Sequence, residues 1–268
     1  MSKNSPIGIF DSGIGGLTVA YAVKEALPGE SLVYFGDTAH LPYGDKSTAA
    51  IQSYAVKICD VLIQKKCKVI LIACNSASSA AYQLVKEYVG SKAKVINVID
   101  PVINCLSENY QNEIIGLIGT KKTVNSNVYQ KKIDRLKENI TLKALATPLL
   151  APMIEEGYFN NTISEQIIHT YLTDKKLKGI KALILGCTHY PLIKKEIEAF
   201  YQGKVSVIDS SRIVASYLKK YLESKKLLNN LSSPGHKFFV SDYTHSFAES
   251  TKLFFREEVN LEHYPLWE

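Results

Sequence analysis

The stretch ALILGCTHYP, residues 182–191, joins a short apolar run to a cysteine and a histidine. A second stretch, VILIACNSAS, residues 69–78, also has an apolar run that ends at a cysteine. Continuous apolar runs of this length are typical of strands buried on both faces of a parallel sheet. Cys187 and Cys74 are therefore each predicted to lie at the carboxyl end of a strand, where α/β sheets bind ligands.

Strand-like and helix-like stretches alternate along the chain. The predicted strands cover residues 7–10, 31–35, 68–73, 94–99, 114–119, 140–146, 182–186 and 204–209. The helix-length stretches between them include 47–65, 77–89, 121–138, 160–174 and 191–201. Beyond residue 209 we expect a helix at 211–227, a polar turn at 229–235, a strand at 237–241 and a helix near 244–256. The alternation predicts an α/β fold with mostly parallel sheets covered by helices on both faces.

The order of elements is repeated. IGIFDSGIGG begins at Ile7 and IGLIGTKKTV at Ile115, an offset of 108 residues (115 − 7), and the two cysteines are offset by 113 (187 − 74). We therefore predict two related α/β halves. The alternative is the general self-similarity of strands in any α/β chain.

Composition limits the classes of function. The chain has 268 residues, of which 46% are hydrophobic and 22% charged, as in ordinary globular proteins, and its formal net charge is +6. The lysines are spread out without a dense basic block, so no nucleic-acid partner is predicted. Without a secretory signal or an apolar run of about 18 residues, no membrane partner is expected. The five cysteines (59, 67, 74, 105 and 187) include no CxxC pair, which favours a reduced, cytoplasmic protein.

The segment FDSGIGGLTV, residues 10–19, predicts a glycine-rich turn between a strand and a helix. Its glycines permit positive φ and the close approach of a ligand to the backbone, and the next helix offers unpaired N–H groups to an anion. Asp11, at the strand end, is a candidate catalytic acid. The spacing differs from G-x-G-x-x-G and no Walker lysine follows, so a nucleotide site is not predicted.

Both cysteine stretches predict a helix just after the thiol, and a helix N-terminus favours a thiolate. Asn75, Ser76 and Thr188 are the expected helix caps. The Cys187-x-His189 pair lacks a second ligand cluster, so no metal site is predicted. At this level a buried structural cysteine remains an alternative for either thiol.

Four motifs, GIFDSGIGGLTV, GDTAHLPYG, ACNSASSAA and GCTHYPLI, in this order and spacing, resemble the glutamate racemases of the aspartate/glutamate racemase family. The resemblance implies two α/β domains related by a pseudo-twofold axis, with the active site in the cleft between them. We place the first domain at residues 1–98 plus 210–268 and the second at 99–209. The resemblance also implies a cytoplasmic enzyme, commonly a homodimer, that needs no cofactor and interconverts L- and D-glutamate for peptidoglycan synthesis.

The resemblance carries over to single residues. Cys74 and Cys187 match the two catalytic cysteines, Asp11 the acidic partner of the first, and His189 and Glu155 the groups that support the second. Glu156 is the alternative to Glu155. The residues that match substrate-binding positions are Asp11, Ser12, Tyr43, Gly44, Asn75, Ser76, Thr120, Thr188 and His189. Ser76 stands where the family usually has threonine, so the hydroxyl is kept and a methyl group is lost.

Two thiols suit a racemisation because a proton must leave Cα from one face and return to the opposite face. One sulfur acts as thiolate base and the other as thiol acid. The alternatives are aspartate racemase or another amino-acid racemase of the same fold, a Cys–His amidohydrolase, a two-lobed amino-acid-binding protein and a thiol–disulfide redox protein. An amidohydrolase needs only one nucleophile.

Overall fold

Buried apolar runs form the central strands. The strands with the sequences IGIFD, VILI and ALILG are buried at every residue, because helices cover both faces of each sheet. The computed structural model describes residues 2–232 and 234–268. The predicted polar turn at 229–235 contains Ser233, which lies outside the described residues.

The strands are β1 (Ile7–Asp11), β2 (Leu32–Gly36), β3 (Val69–Ile72), β4 (Lys94–Asn97), β5 (Ile114–Gly119), β6 (Thr141–Ala146), β7 (Ala182–Gly186), β8 (Ser206–Asp209), β9 (Lys237–Val240) and β10 (Leu261–His263). The α-helices are α1 (Leu17–Ala26), α2 (Thr48–Gln64), α3 (Asn75–Val89), α4 (Asp100–Asn109), α5 (Lys121–Asn125), α6 (Val128–Ile133), α7 (Leu150–Glu155), α8 (Thr162–Leu172), α9 (Lys194–Tyr201), α10 (Ser210–Ser224) and α11 (His245–Phe255). Short 3₁₀ helices lie at Thr38–His40, Tyr43–Asp45, Lys175–Leu177 and Tyr190–Ile193.

The strands form two parallel sheets. The first has the order β10-β9-β2-β1-β3-β4 and the second the order β6-β5-β7-β8. The series β2-β1-β3-β4 and β6-β5-β7-β8 have the same topology, which confirms the predicted doubling of an α/β unit. Cys74 follows β3 and Cys187 follows β7, so the two thiols occupy equivalent places in the two units.

The chain returns to the first sheet after it has completed the second. Helix α10 packs against α1 and α4, and β9 then pairs with β2 in parallel. The hydroxyl of Thr18 on α1 donates a hydrogen bond of 2.8 Å to the carbonyl oxygen of Thr188, which follows β7. This contact holds the glycine-rich loop of the first sheet beside the cysteine loop of the second.

Several local predictions were wrong. The helix predicted at 121–138 is divided into α5 and α6, because Asn127 between them is left-handed with a φ of 54°. The expected caps Asn75 and Ser76 are inside α3, and Cys74 itself is the cap, its sulfur accepting a hydrogen bond of 3.4 Å from the Ala77 amide. Thr188 does not cap a helix; the 3₁₀ helix at Tyr190–Ile193 begins after His189 without a side-chain cap.

The glycines of the first loop serve close packing rather than a special backbone conformation. Gly13, Gly15 and Gly16 do not use the positive φ that glycine permits. Instead, a Cβ at Gly15 would lie 2.4 Å from Cε1 of His189, and a Cβ at Gly16 would lie 2.5 Å from the Cβ of Asp11. The absence of a side chain at Gly15 lets the two halves meet, and its absence at Gly16 leaves room for Asp11 within the first half.

Candidate active site

The cleft between the two sheets brings the predicted site residues together. A cavity of about 50 Å³ lies between the carboxyl ends of the two sets of strands. Its walls include Ser12, Tyr43, Gly44, Cys74, Asn75, Ser76, Thr120, Glu155, Cys187, Thr188 and His189. Of the predicted residues only Asp11 does not line the cavity.

Cys74 holds its proton firmly. Its thiol lies at the start of α3 and points its S–H toward Oγ of Ser12, at a sulfur–oxygen distance of 3.7 Å. Burial, and then the charge of Asp11, raise the pKa of Cys74 to about 12, although the Ala77 amide and Ser12 favour the thiolate. Near neutral pH this residue is therefore a thiol that can donate a proton.

Asp11 lies directly behind the cavity and is completely buried. Its Oδ2 accepts hydrogen bonds from the amides of Gly13 and Gly16, at 3.2 and 3.0 Å. Burial raises the pKa of Asp11, while the positive charge of His189 and the loop amides act in the opposite direction. The other carboxyl oxygen, Oδ1, has no hydrogen-bond partner within the described residues.

His189 connects the second thiol to a carboxylate. Its Nδ1 lies 3.5 Å from the sulfur of Cys187 and its Nε2 lies 2.9 Å from Oε1 of Glu155. The imidazole, when protonated, forms an ion pair with Glu155. Burial disfavours the imidazolium, but the Cys187 sulfur and the Glu155 carboxylate outweigh it and raise the pKa of His189 well above its usual range. The imidazole therefore carries a positive charge beside the Cys187 sulfur more readily than a free imidazole would.

The two neighbouring glutamates, Glu155 and Glu156, differ in their position relative to the cavity. Glu155 ends α7 and faces His189, whereas Glu156 is exposed to solvent. Glu155 is the carboxylate that contacts the site.

Polar contacts cross the cleft from one half to the other. The hydroxyls of Ser76 and Thr120 are 2.9 Å apart, and the hydroxyl of Tyr129 on α6 donates a hydrogen bond of 2.9 Å to Oδ1 of Asn75. Within the described part of the chain, the buried Nδ2 of Asn75 has no hydrogen-bond partner. Tyr129 fixes the amide oxygen, so this N–H₂ group is an unsatisfied donor in a residue that lines the cavity.

The sequence analysis did not predict Tyr129, Asp37 or Trp267. Asp37 lies inside the quoted motif GDTAHLPYG, and its position directly after β2 could have identified it as a candidate functional residue. Tyr129 contacts Asn75 in the cavity wall and Trp267 contacts Asp37 outside the cavity, and both partners are far away in the sequence. Across residues 2–232 and 234–268 no group of three or more His, Cys, Asp or Glu side chains is arranged to hold a metal ion.

Comparison with known proteins identifies the family. Residues 17–218 match the sequence profile of the Asp/Glu/hydantoin racemases, which is most of the chain. The chain belongs to the Asp/Glu/hydantoin racemase family. This racemase is 39% identical to the glutamate racemase of Chlorobaculum tepidum over 97% of its own length and 95% of that protein. It is also 39% identical to a glutamate racemase of Neisseria meningitidis, over 90% and 89% of the two chains.

A solved structure agrees with the sequence comparison. The crystal structure of glutamate racemase from Francisella tularensis in complex with D-glutamate matches this racemase with a TM-score of 0.92 and 38% identity. The match covers 99% of both chains. The protein is therefore an isomerase of the amino-acid racemase type, with the predicted fold of two α/β units. Across the described ranges no helix combines the length and apolar character needed to cross a membrane.

Proposed function

We propose that this racemase interconverts L- and D-glutamate with Cys74 and Cys187 as its two proton-transfer groups. The observation that supports the proposal is the placement of two thiols at equivalent strand ends in one cavity, each with its own acid–base partner. Asp11 lies behind Cys74, and His189 with Glu155 lies beside Cys187.

The proton transfers follow from the different environments of Cys187 and Cys74. In one direction the Cys187 sulfur, as thiolate, removes the Cα proton, so that an S–H bond forms and the C–H electron pair stays on the substrate. The Cys74 thiol then gives its proton to the opposite face of Cα and becomes a thiolate. In the reverse direction the two sulfurs exchange roles. Asp11 and His189 are placed to return the thiols to their starting protonation states.

Substrate binding uses the donors on the walls of the cleft. The free amide nitrogen of Asn75 and the hydroxyls of Ser12, Ser76, Thr120 and Thr188 can bind carboxylate oxygens, together with the N–H groups at the start of α3. Tyr43 and Gly44 form one edge of the same site. Such donors also stabilise the negative charge that develops when the Cα proton leaves.

The cleft must widen to admit the substrate. A cavity of about 50 Å³ is far smaller than the roughly 300–1,000 Å³ of ordinary ligand pockets. The Ser76 and Thr120 hydroxyls, 2.9 Å apart, bridge it from opposite sides. We infer that glutamate separates these hydroxyls and replaces their mutual hydrogen bond with bonds to its own carboxylate.

The wider role is also a proposal. The resemblance and the bacterial relatives support a cytoplasmic enzyme that supplies D-glutamate for peptidoglycan synthesis, acting as a homodimer without a cofactor. The division of the strands between two sheets supports domain boundaries at 1–98 plus 210–268 and at 99–209.

Chiral chromatography after incubation with single amino acids tests the function. Pure protein without pyridoxal phosphate should convert L-glutamate to D-glutamate, and D-glutamate to L-glutamate, far faster than it racemises aspartate. Faster racemisation of aspartate would assign the enzyme to the alternative substrate. Release of ammonia from glutamine without racemisation would instead indicate an amidohydrolase.

A further inference from the structure

A buried carboxylate outside the cavity collects donors from three separate parts of the chain. Asp37, which follows β2, is completely buried. It accepts hydrogen bonds from the hydroxyl of Tyr43 at 2.6 Å, the hydroxyl of Ser241 at 2.8 Å and Nε1 of Trp267 at 2.8 Å. Nδ1 of His40 lies 3.1 Å from both of its oxygens. A buried carboxylate with this many donors has little freedom to reorient.

Trp267 is held in place by packing as well as by its hydrogen bond. The ring of His40 stacks on Tyr54 with a centroid distance of 4.0 Å, and the Trp267 ring meets His40 edge-on at 4.5 Å. Trp267 also contacts Tyr54 edge-on at 5.4 Å, and Nζ of Lys57 lies 5.0 Å from the centre of its ring. The indole N–H is therefore presented to Asp37 by a rigid aromatic cluster.

The same carboxylate fixes an edge of the substrate cleft. Tyr43 is almost completely buried, and its hydroxyl is anchored on Asp37. The next residue, Gly44, lies against Thr120 of the other half so closely that a Cβ at Gly44 would be 3.2 Å from the Cβ of Thr120. A shift of Asp37 therefore moves Tyr43 and changes how this loop meets the opposite wall of the cleft.

We propose that Trp267 is a positioning residue for substrate binding, which acts through Asp37 on Tyr43 and Gly44. The inference rests on the proposed function, because it assumes that Tyr43 and Gly44 contact the substrate. Ser241 and Trp267 both follow strands that extend the first sheet after the second sheet is complete. The added edge of the sheet thus supplies two of the donors that hold the substrate loop.

The test compares Trp267→Phe with Tyr264→Phe. The first change keeps an aromatic ring and removes the N–H donor, while the second removes a hydroxyl from the same segment without any contact with Asp37. Since loss of one donor loosens Asp37 and only part of that effect reaches Tyr43 and Gly44, Trp267→Phe should raise the KM for glutamate about tenfold. Its kcat should fall less than about threefold, and Tyr264→Phe should leave both constants near wild type.

A double-variant cycle separates positioning from general destabilisation. If Trp267 acts through Tyr43, Trp267→Phe should raise KM much less in a Tyr43→Phe background than in the wild-type background. Additive effects of Trp267→Phe and Tyr43→Phe on KM would overturn the proposal. The same changes of kcat and KM in Trp267→Phe and Tyr264→Phe would also overturn it. If Trp267→Phe folds poorly, Ser241→Ala removes another donor to Asp37 and should give the same selective rise in KM.

A spectroscopic readout does not require turnover. Trp267 is the one tryptophan in the sequence, so tryptophan emission reports on this site. Glutamate added to the Cys187→Ala variant should shift the emission with a saturable dependence, and unchanged emission at saturating glutamate would contradict the coupling. If the wild-type enzyme interconverts glutamate while Trp267→Phe keeps a normal KM, the inference fails and the proposed function stands. If the wild-type enzyme does not turn over glutamate, the proposed function itself fails.

Discussion

Replacing Gly15 with alanine should impair proton transfer by Cys187 without any change to Cys187 itself. A Cβ at this position would lie 2.4, 2.7 and 2.8 Å from Cε1, Nδ1 and Nε2 of His189. The ring has little room to retreat, because Phe254 meets it edge-on at a centroid distance of 5.4 Å. The imidazole must therefore move away from Gly15, and its contacts with Cys187 and Glu155 change as a result.

The size of the effect follows from these distances. Ordinary van der Waals contact begins at 3.4 Å, so the nearest ring atom must move by about 1 Å, and a misplacement of this size costs roughly 100-fold in rate. That loss equals about 2.7 kcal/mol of transition-state stabilisation. The added methyl group should also destabilise the fold by about 1–3 kcal/mol, as overpacking does.

The assay measures kcat for racemisation and the urea midpoint of unfolding for two glycine variants of the same loop. Gly13→Ala is the control, because a Cβ there would meet only Cδ2 of Leu41 at an ordinary 3.4 Å. We expect Gly13→Ala to stay within about threefold of the wild-type kcat, since ordinary contacts cost little. Gly15→Ala with a normal kcat and a normal midpoint would show that the placement of His189 does not matter for turnover.

Three further predictions concern other parts of the molecule. Tyr129→Phe removes a hydrogen bond that fixes an amide in the cleft, and should raise the KM for glutamate about two- to tenfold in steady-state kinetics. Glu155→Gln removes a charge that raises the pKa of His189, so the limb of kcat/KM that follows loss of the His189 proton should move to lower pH. A fixed limb would contradict that assignment. Lys68→Met leaves Glu30 without the buried partner that lies 2.6 Å away, and should cost about 3–5 kcal/mol in urea unfolding, while the double variant Glu30→Leu/Lys68→Met should cost less.

The sequence predicted the positions of the central strands and of both thiols. Strands such as β3 and β7 are buried on both faces, so their apolar runs are continuous and their ends are easily placed. The doubled order then located Cys74 and Cys187 at equivalent strand ends. The physical basis is local: hydrophobic periodicity and strand length are properties of a few adjacent residues.

The remaining features depend on contacts that local patterns do not encode. β10 has the sequence LEH, with two exposed polar residues, and forms only because β9 provides an edge to pair with. The break between α5 and α6 depends on the left-handed conformation of one asparagine. The partners of Tyr129 and Trp267 are 54 and 230 residues away, so nothing near either residue indicates its role.

The two-thiol mechanism is tested most directly by the position of deuterium after the first turnovers in D₂O. Starting from L-glutamate, the D-glutamate formed should carry one deuterium at Cα, while recovered L-glutamate should still carry protium, because separate sulfurs remove and deliver the proton. Cys74→Ala and Cys187→Ala should each abolish the interconversion. Deuterium appearing equally fast in recovered substrate and product, or wild-type turnover in either variant, would contradict the mechanism.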